Sequence, residues 1–362
     1  MEMWPWAYWS ESYSSPENED RIFCRTENHT RRRDMKPCIT LSRRALLAGA
    51  GALALSRFAH AASAYPSRPV SWVVGFPAGG GTDSLARTVG AGLAEKLRQS
   101  VIIDNRPGAA GILAADRVAH EAADGYTLLT GDIAILVFNP AIYPNVRYDA
   151  LRDFTPVALM AQFPLIIATH PGSGLNSMAD VAAQARKAPQ RALYGSAGVG
   201  TPHHLAMELL QKEAGFPMEH VPYKGDTPAL QDLAGGQIPL AVLAPAVSLP
   251  YFKSGKLRPL AVTSETRLAQ LPDVPSLKEL SMASDGVYAW QGLVGPRAMP
   301  QDVVRRLSSD VMAVLQAPEV IARLAELGME PCPADAQAMA EHIRKEQARW
   351  VPLIQSRGIR SS

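Results

Sequence analysis

The order strand, glycine-rich turn, helix occurs in both halves of this chain, and a strand that hands over to a helix in this way belongs to a layered α/β architecture. In the first half, residues 70–75 form a short apolar run. Residues 83–99 carry Leu85, Val89, Leu93 and Leu97 in helical period, and 101–104 return to a strand pattern. Residues 112–121 are again helical and 126–131 strand-like, so the β-α-β-α-β order predicts a parallel sheet wrapped by helices. A second series opens after Phe154, with strands at 164–169, 192–196, 220–222, 238–244 and 257–263 and helices at 177–187, 202–214 and 229–235. The tail reads as three amphipathic helices at 301–316, 318–327 and 334–356 with no further strand. Their apolar stripes need the open sheet face of the first half. With an extended run at 289–295, the chain passes between the halves twice, near 163–169 and near 289–295, and two crossings make a hinge. The expected molecule is two-lobed α/β with a cleft: residues 65–166 plus 288–362 form lobe 1 and 167–287 lobe 2.

Residues 1–64 stand apart from this pattern. The first 34 have no apolar period and are read as non-structural, with Met35 as the expected true start. Ser42-Arg43-Arg44-Ala45-Leu46-Leu47, the apolar stretch to Leu55 and the exit Ala62-Ser63-Ala64 have the three-part order of a secretory signal, and the paired arginines resemble a twin-arginine address. The stretch from Ala45 to Leu55 is about half the length of a membrane span. A basic helix start leading into an Ala-rich core helix is the blander alternative. Cleavage after Ala64 leaves Cys332 alone of Cys24, Cys38 and Cys332, so the mature chain has no internal disulfide and Cys332 is read as incidental.

Charge narrows the partners. The 362 residues hold 36 Lys+Arg against 34 Asp+Glu, and setting aside 1–64, with nine basic and seven acidic residues, leaves 27 of each. A balanced chain lacks the basic footprint that phosphate neutralisation requires, and nucleic acid is discarded as a partner.

The chemistry concentrates in three turns. Gly75-Phe76-Pro77-Ala78-Gly79-Gly80-Gly81-Thr82-Asp83 lies between a strand and a helix, where free N–H groups and the helix dipole favour an anion, and Thr82 or Asp83 can cap the helix. The spacing is neither G-x-G-x-x-G nor Walker-A, and a tight capped turn is the competing reading. Gly195-Ser196-Ala197-Gly198-Val199-Gly200-Thr201-Pro202 repeats the arrangement in the second half, with Pro202 suited to a first helical turn. Its likeness to a nucleophile elbow is superficial, and adjacent His203 and His204 point different ways, against a zinc site. In the third turn, Tyr223-Lys224-Gly225-Asp226-Thr227, Lys224 is either a cation for an anionic ligand or a solvated side chain, and Asp226 and Thr227 are plausible caps. No paired carboxylates, H-E-x-x-H, C-x-x-C or S-x-x-K set appears, so the sequence offers no catalytic constellation and no cofactor.

These segments resemble the tripartite tricarboxylate transporter receptors, also called Bug proteins. The resemblance runs from Tyr65 to Ile359 through Phe76-Pro77-Ala78-Gly79-Gly80-Gly81-Thr82-Asp83, Asp104-Asn105-Arg106-Pro107-Gly108, Asp124-Gly125-Tyr126-Thr127, Gly195-Ser196-Ala197-Gly198, Val221-Pro222-Tyr223-Lys224-Gly225, Gly255-Lys256-Leu257-Arg258-Pro259, Leu271-Pro272-Asp273-Val274-Pro275 and Trp290-Gln291-Gly292. It implies a periplasmic solute-binding protein of the two-lobed, Venus-flytrap type, a monomer that holds a small carboxylate or amide-bearing solute and delivers it to membrane permease subunits. It implies contacts from Phe76, Ala78, Thr82 and Asp83 with the glycines Gly79 and Gly80 on one side. On the other side it implies Ser196, Ala197, Gly198 and Thr201, with Tyr223 and Lys224 nearby, partly through ordered water.

Two departures stand out. Gly235-Gly236-Gln237-Ile238-Pro239 lacks an Asp common in the family, and Asp132 stands where small polar residues are frequent. In the cleft, Asp132 disfavours a second ligand carboxylate and favours an amine; alternatively it caps the following turn. A sensor subunit for a membrane kinase differs from a transport receptor only in its partner, and an enzyme on the same frame requires a nucleophile with its base or a metal site.

Overall fold

The computed structural model describes residues 65–360, and the expected signal segment at 1–64 lies outside them. Two sheets form the frame. The first has six strands in the order β11 (Glu330–Asp335), β4 (Phe154–Pro164), β10 (Tyr288–Pro296), β3 (Thr127–Asp132), β1 (Val70–Val74), β2 (Val101–Asn105), and the second five in the order β7 (Glu219–Pro222), β6 (Leu193–Ser196), β8 (Leu240–Leu243), β5 (Ile166–Thr169), β9 (Arg258–Val262).

The first sheet starts as expected: β1 (Val70–Val74) pairs in parallel with β2 (Val101–Asn105) and β3 (Thr127–Asp132). Between them run α1 (Gly81–Leu97) and α2 (Ile112–Ala119). The periodic Leu85, Val89, Leu93 and Leu97 are all buried, each contributing about 1.5–3 kcal/mol relative to exposure. The sheet is not purely parallel, because β4 (Phe154–Pro164), β10 (Tyr288–Pro296) and β11 (Glu330–Asp335) join it antiparallel. β11 also corrects the expectation of a strandless tail. It is an edge strand, where Pro331 and Pro333 are tolerated because one row of N–H groups has no ladder partner to serve. A π-helical turn (Ala134–Phe138) and the short α3 (Asn139–Ile142), both unforeseen, follow β3.

The second sheet holds β5 (Ile166–Thr169), β6 (Leu193–Ser196), β7 (Glu219–Pro222), β8 (Leu240–Leu243) and β9 (Arg258–Val262). Its helices are α4 (Met178–Lys187), capped by Ser177, then α5 (Pro202–Ala214), α6 (Asp226–Ala234) and the unforeseen α7 (Pro245–Lys253). The tail helices α8 (Gln301–Leu315), α9 (Pro318–Glu326) and α10 (Ala336–Ser356) return to the first lobe. There α10 and α8 pack on β4, and α8 and α9 on α1. Among the described residues no helix is long and apolar enough to cross a membrane.

The first crossing is short, and the two are tied together. The chain leaves the first sheet at Pro164 and enters the second at Ile166, so Leu165 alone makes the first passage. The return runs from Val262 to Tyr288; the stretch expected to cross, 289–295, is instead the middle of β10, between β3 and β4. Buried Thr263 joins the two passages. Its N–H donates to Leu165 O (2.9 Å), and its Oγ1 accepts from Leu165 N (2.8 Å) and donates to Val287 O (2.7 Å). Val287 N closes the knot on Thr263 O at 2.9 Å.

Thr263→Val keeps the shape but removes the hydroxyl, leaving a buried N–H and C=O unpaired. The variant is expected to lose about 1–3 kcal/mol, measured as a lower denaturation midpoint; an unchanged midpoint would show that the knot does not hold the crossings.

Candidate functional site

Three strand-to-helix turns meet at the cleft. The first links β1 to α1. Gly79 takes a left-handed conformation (φ +82°), and its N–H donates to Asp83 Oδ2 at 2.8 Å. Asn105 Nδ2 reaches both Asp83 Oδ1 (2.9 Å) and Phe76 O (3.1 Å), and Arg87 Nε donates to Asp83 Oδ2 at 2.9 Å. Burial alone would raise the Asp83 pKa, but the donors Arg87, Gly79 and Asn105 outweigh it and hold the carboxyl below its ordinary range. Asp83 thus braces the turn from behind. Neither Thr82 nor Asp83 caps α1 from the N-cap position, which is Gly80 with no side-chain bond.

The second turn links β6 to α5. Gly198 and Gly200 have positive φ, Ser196 Oγ accepts from Gly198 N (3.0 Å), and Thr201 Oγ1 donates to Gly198 O (2.7 Å). Ser196 turns to the underside, where its Oγ lies 2.6 Å from His220 Nε2. Burial, then neighbouring His204, pushes His220 down to about 3, so its ring is neutral at ordinary pH. In the third turn, β7 to α6, Tyr223 Oη donates to Asp232 Oδ2 (2.7 Å). The helix starts at Asp226, earlier than expected, with Pro228 in its first turn.

The N-caps of α1, α5 and α6 are Gly80, Thr201 and Gly225, and none makes a side-chain cap bond. Their first N–H groups therefore lack intrahelical acceptors, and all three helix ends open on one inner chamber of about 30 Å³. Phe76, Gly80, Thr82, Asp132, Ala197 and Thr201 line it, together with His203, Asp226, Thr227, Trp290 and Gln291. A wider cleft of about 830 Å³, lined by Gly198, Tyr223 and Lys224 and again by Phe76 and Ala197, adjoins it. Of the residues singled out in the sequence, Ala78, Gly79, Asp83 and Ser196 line neither space. Across the cleft Tyr143 Oη donates to Val199 O (2.9 Å), and the space beside Gly225 is filled by Pro77, where a Cβ would come within 3.1 Å.

Three polar groups escaped sequence reasoning because tertiary structure alone brings them together. Gln291 Nε2 donates to Thr82 Oγ1 at 2.8 Å. His203 Nε2 lies 2.9 Å from Asp226 Oδ1. Burial opposes ionisation of Asp226, but His203 and the Ala244 N–H keep its pKa below the ordinary value. The motif Trp290-Gln291-Gly292 is the available signal for Gln291, whereas nothing in the spacing of His203 and Asp226 marks them as a pair. Among the described residues no His, Cys, Asp or Glu cluster can hold a metal.

Asp132 does two things at once. Its Oδ1 accepts from Ile135 N at 2.9 Å, capping the π-helical turn, and the same side chain lines the chamber. Burial pushes its pKa up to about 7 against the hydrogen bonds from Ile135 and Ala134.

Two lobes whose helix ends converge on a cleft between them define a solute-binding protein. Residues 85–359 match the family model described as "Tripartite tricarboxylate transporter family receptor", and the chain belongs to that family. Bordetella pertussis Protein BugT is 32% identical, covering 82% of this chain and 91% of that one, and a UPF0065 protein of Pseudomonas sp. strain P51 is 35% identical over 87% and 94%. Solved structures agree. R. palustris Rpa4515 with adipate has a TM-score of 0.78 at 36% identity, covering 81% of this chain and 98% of that one. Periplasmic binding protein BugD has 0.78 at 30% (82% and 100%), and Rhodopseudomonas palustris MatC with bound malate has 0.73 at 30% (80% and 100%).

For Asp132, the unfolded chain ionises near the ordinary 3.8 and the folded one near 7, so between these values the native state holds the extra proton and stability falls as pH rises. Asp132→Asn keeps an acceptor for Ile135 N and removes this decline. Thermal melts at pH 4.5 and 8 are expected to show the variant gaining on the wild type at the higher pH by a few kcal/mol, on the order of the shift; parallel pH profiles would contradict it.

Proposed function

We propose that this receptor captures a small carboxylate-bearing solute in the periplasm and delivers it, as a monomer, to the membrane permease subunits of a tripartite tricarboxylate transporter. The observation that carries the reading is the convergence of three helix N-termini, none capped by its own side chain, on one chamber. Free N–H groups and the positive ends of three dipoles favour an anion there. The adipate and malate complexes of Rpa4515 and MatC support a small dicarboxylate-like solute. Residues 65–166 and 288–362 act as one jaw and 167–287 as the other, closing by bending at the two crossings. Phe76, Gly80, Thr82, Ala197 and Thr201 touch the solute at the chamber, and Gly198, Tyr223 and Lys224 at the cleft mouth. Residues 35–64 serve as an export signal of twin-arginine type, cleaved near Ala64.

Calorimetric titration with succinate, glutarate and adipate is expected to saturate at one site, with a smaller radius of gyration in the loaded form. Gly80 has an ordinary φ of −78°, and a Cβ there would meet only Pro77 O, at 3.5 Å. Gly80→Asp therefore has room to cap α1 itself, and it is expected to gain a few tenths of a kcal/mol in stability while losing at least tenfold in affinity. Affinity unchanged in a folded Gly80→Asp would remove the first turn from the site. Export is tested separately: N-terminal sequencing of secreted protein is expected to begin at or near Tyr65, and an uncleaved product would contradict the signal assignment.

A further inference from the structure

Beside the helix ends, the inner chamber carries groups of the opposite character. Asp132 on β3 and Gln291 on β10 face each other in the antiparallel register, and both line the chamber. Gln291 is 2% exposed. Its Nε2 is committed to Thr82 Oγ1, and its Oε1 is buried with no hydrogen-bond partner. Asp132 is 4% exposed, with Oδ1 held by Ile135 N. The other ionisable groups of the chamber are His203 and Asp226, with His203 Nε2 2.9 Å from Asp226 Oδ1; His203 also acts on Asp132 through space, without an ion pair between them. Among the described residues Asp132 makes no ion pair, and it lies next to a buried carbonyl without a donor. A plain dicarboxylate supplies neither, since ionised it only accepts.

We propose that the chamber recognises a nitrogen-bound donor, an ammonium or primary amide, on the same solute whose carboxylate rests on the helix ends; the solute is an amino acid or an acid amide. This rests on the carboxylate reading above and sharpens it. An α-amino acid head presents both groups on one carbon, the carboxylate for the N–H groups and the nitrogen for Asp132 and Gln291 Oε1. The remainder of the solute extends toward Tyr223 and Lys224 at the cleft mouth. The upward shift of Asp132, caused chiefly by burial, agrees with an acid that has no ion pair within the protein.

The test is calorimetry on the purified protein with succinate, glutarate and adipate, their 2-amino counterparts, and their monoamides. At least one amino or amide member is expected to bind ten or more times tighter than its parent, with the two sets distinguishing ammonium from amide. Asp132→Asn, which keeps the bond to Ile135 N, is expected to cut that preference at least tenfold. Should that variant fold poorly, Gln291→Met is the second probe and is expected to reduce the same preference. Parents binding as well as or better than their nitrogen-bearing partners would overturn this inference and leave the carboxylate reading standing. Preference unchanged in a folded Asp132→Asn would also overturn it, and no binding by any set would overturn both.

Discussion

Thr263 is the point through which the two lobes are held. One buried residue, by its backbone and its hydroxyl, bonds Leu165 on the outward passage and Val287 on the return. The first passage is a single residue long, so relative motion of the lobes has little chain to act on other than the torsions around this knot. In the proposed closure, bending confined to these torsions would change the cleft opening while leaving both sheets intact.

At the cleft, the division of labour between structural and exposed groups is sharp. Two strong hydrogen-bonding side chains of the turns line neither chamber nor cleft, Asp83 organising the first turn from behind and Ser196 the second from beneath, while Tyr223 lines the wider cleft with its hydroxyl tethered to Asp232. Toward the chamber the turns present the backbone of their helix ends, beside side chains such as Phe76, Thr82, His203 and Trp290. Recognition by main-chain N–H groups on braced turns costs little ordering on binding, because the turns are already fixed. In the proposed reading, discrimination between solutes then falls to chamber side chains, Asp132 and Gln291 foremost.

Much of the frame was legible in the sequence where local pattern and tertiary role coincide. Helix α5 begins at Pro202, and α1 buries the four residues its period selects. Legibility failed where context overrides pattern. β11 contains two prolines and is a strand only because an edge needs half its N–H groups. The apolar run after β3 is buried throughout, so it offers no periodicity from which to recognise a π-helical turn. α6 starts three residues before its expected position because Pro228 sits inside its first turn rather than ahead of it. For the site, the glycine turns were visible as strand-to-helix junctions. The direction in which Asp83 and Ser196 face was not, nor was the meeting of Asp132 with Gln291, 159 positions apart in sequence and opposite in register.

The place of β10 in the first sheet bears on the order in which the molecule can assemble. It lies between β3 and β4, yet it follows the whole second sheet in sequence, so on a chain emerging from its N-terminus the first lobe stays split into β2-β1-β3 and an unpartnered β4 until residue 288 is available. The second lobe's strands, 166–262, are contiguous and can pair among themselves first. The slow step of folding is then insertion of β10 between strands more than 120 residues upstream, a contact set with a large loop-closure cost. Until it occurs, β3 and β4 are open edges, the period in which the nascent chain most needs protection from pairing with other chains.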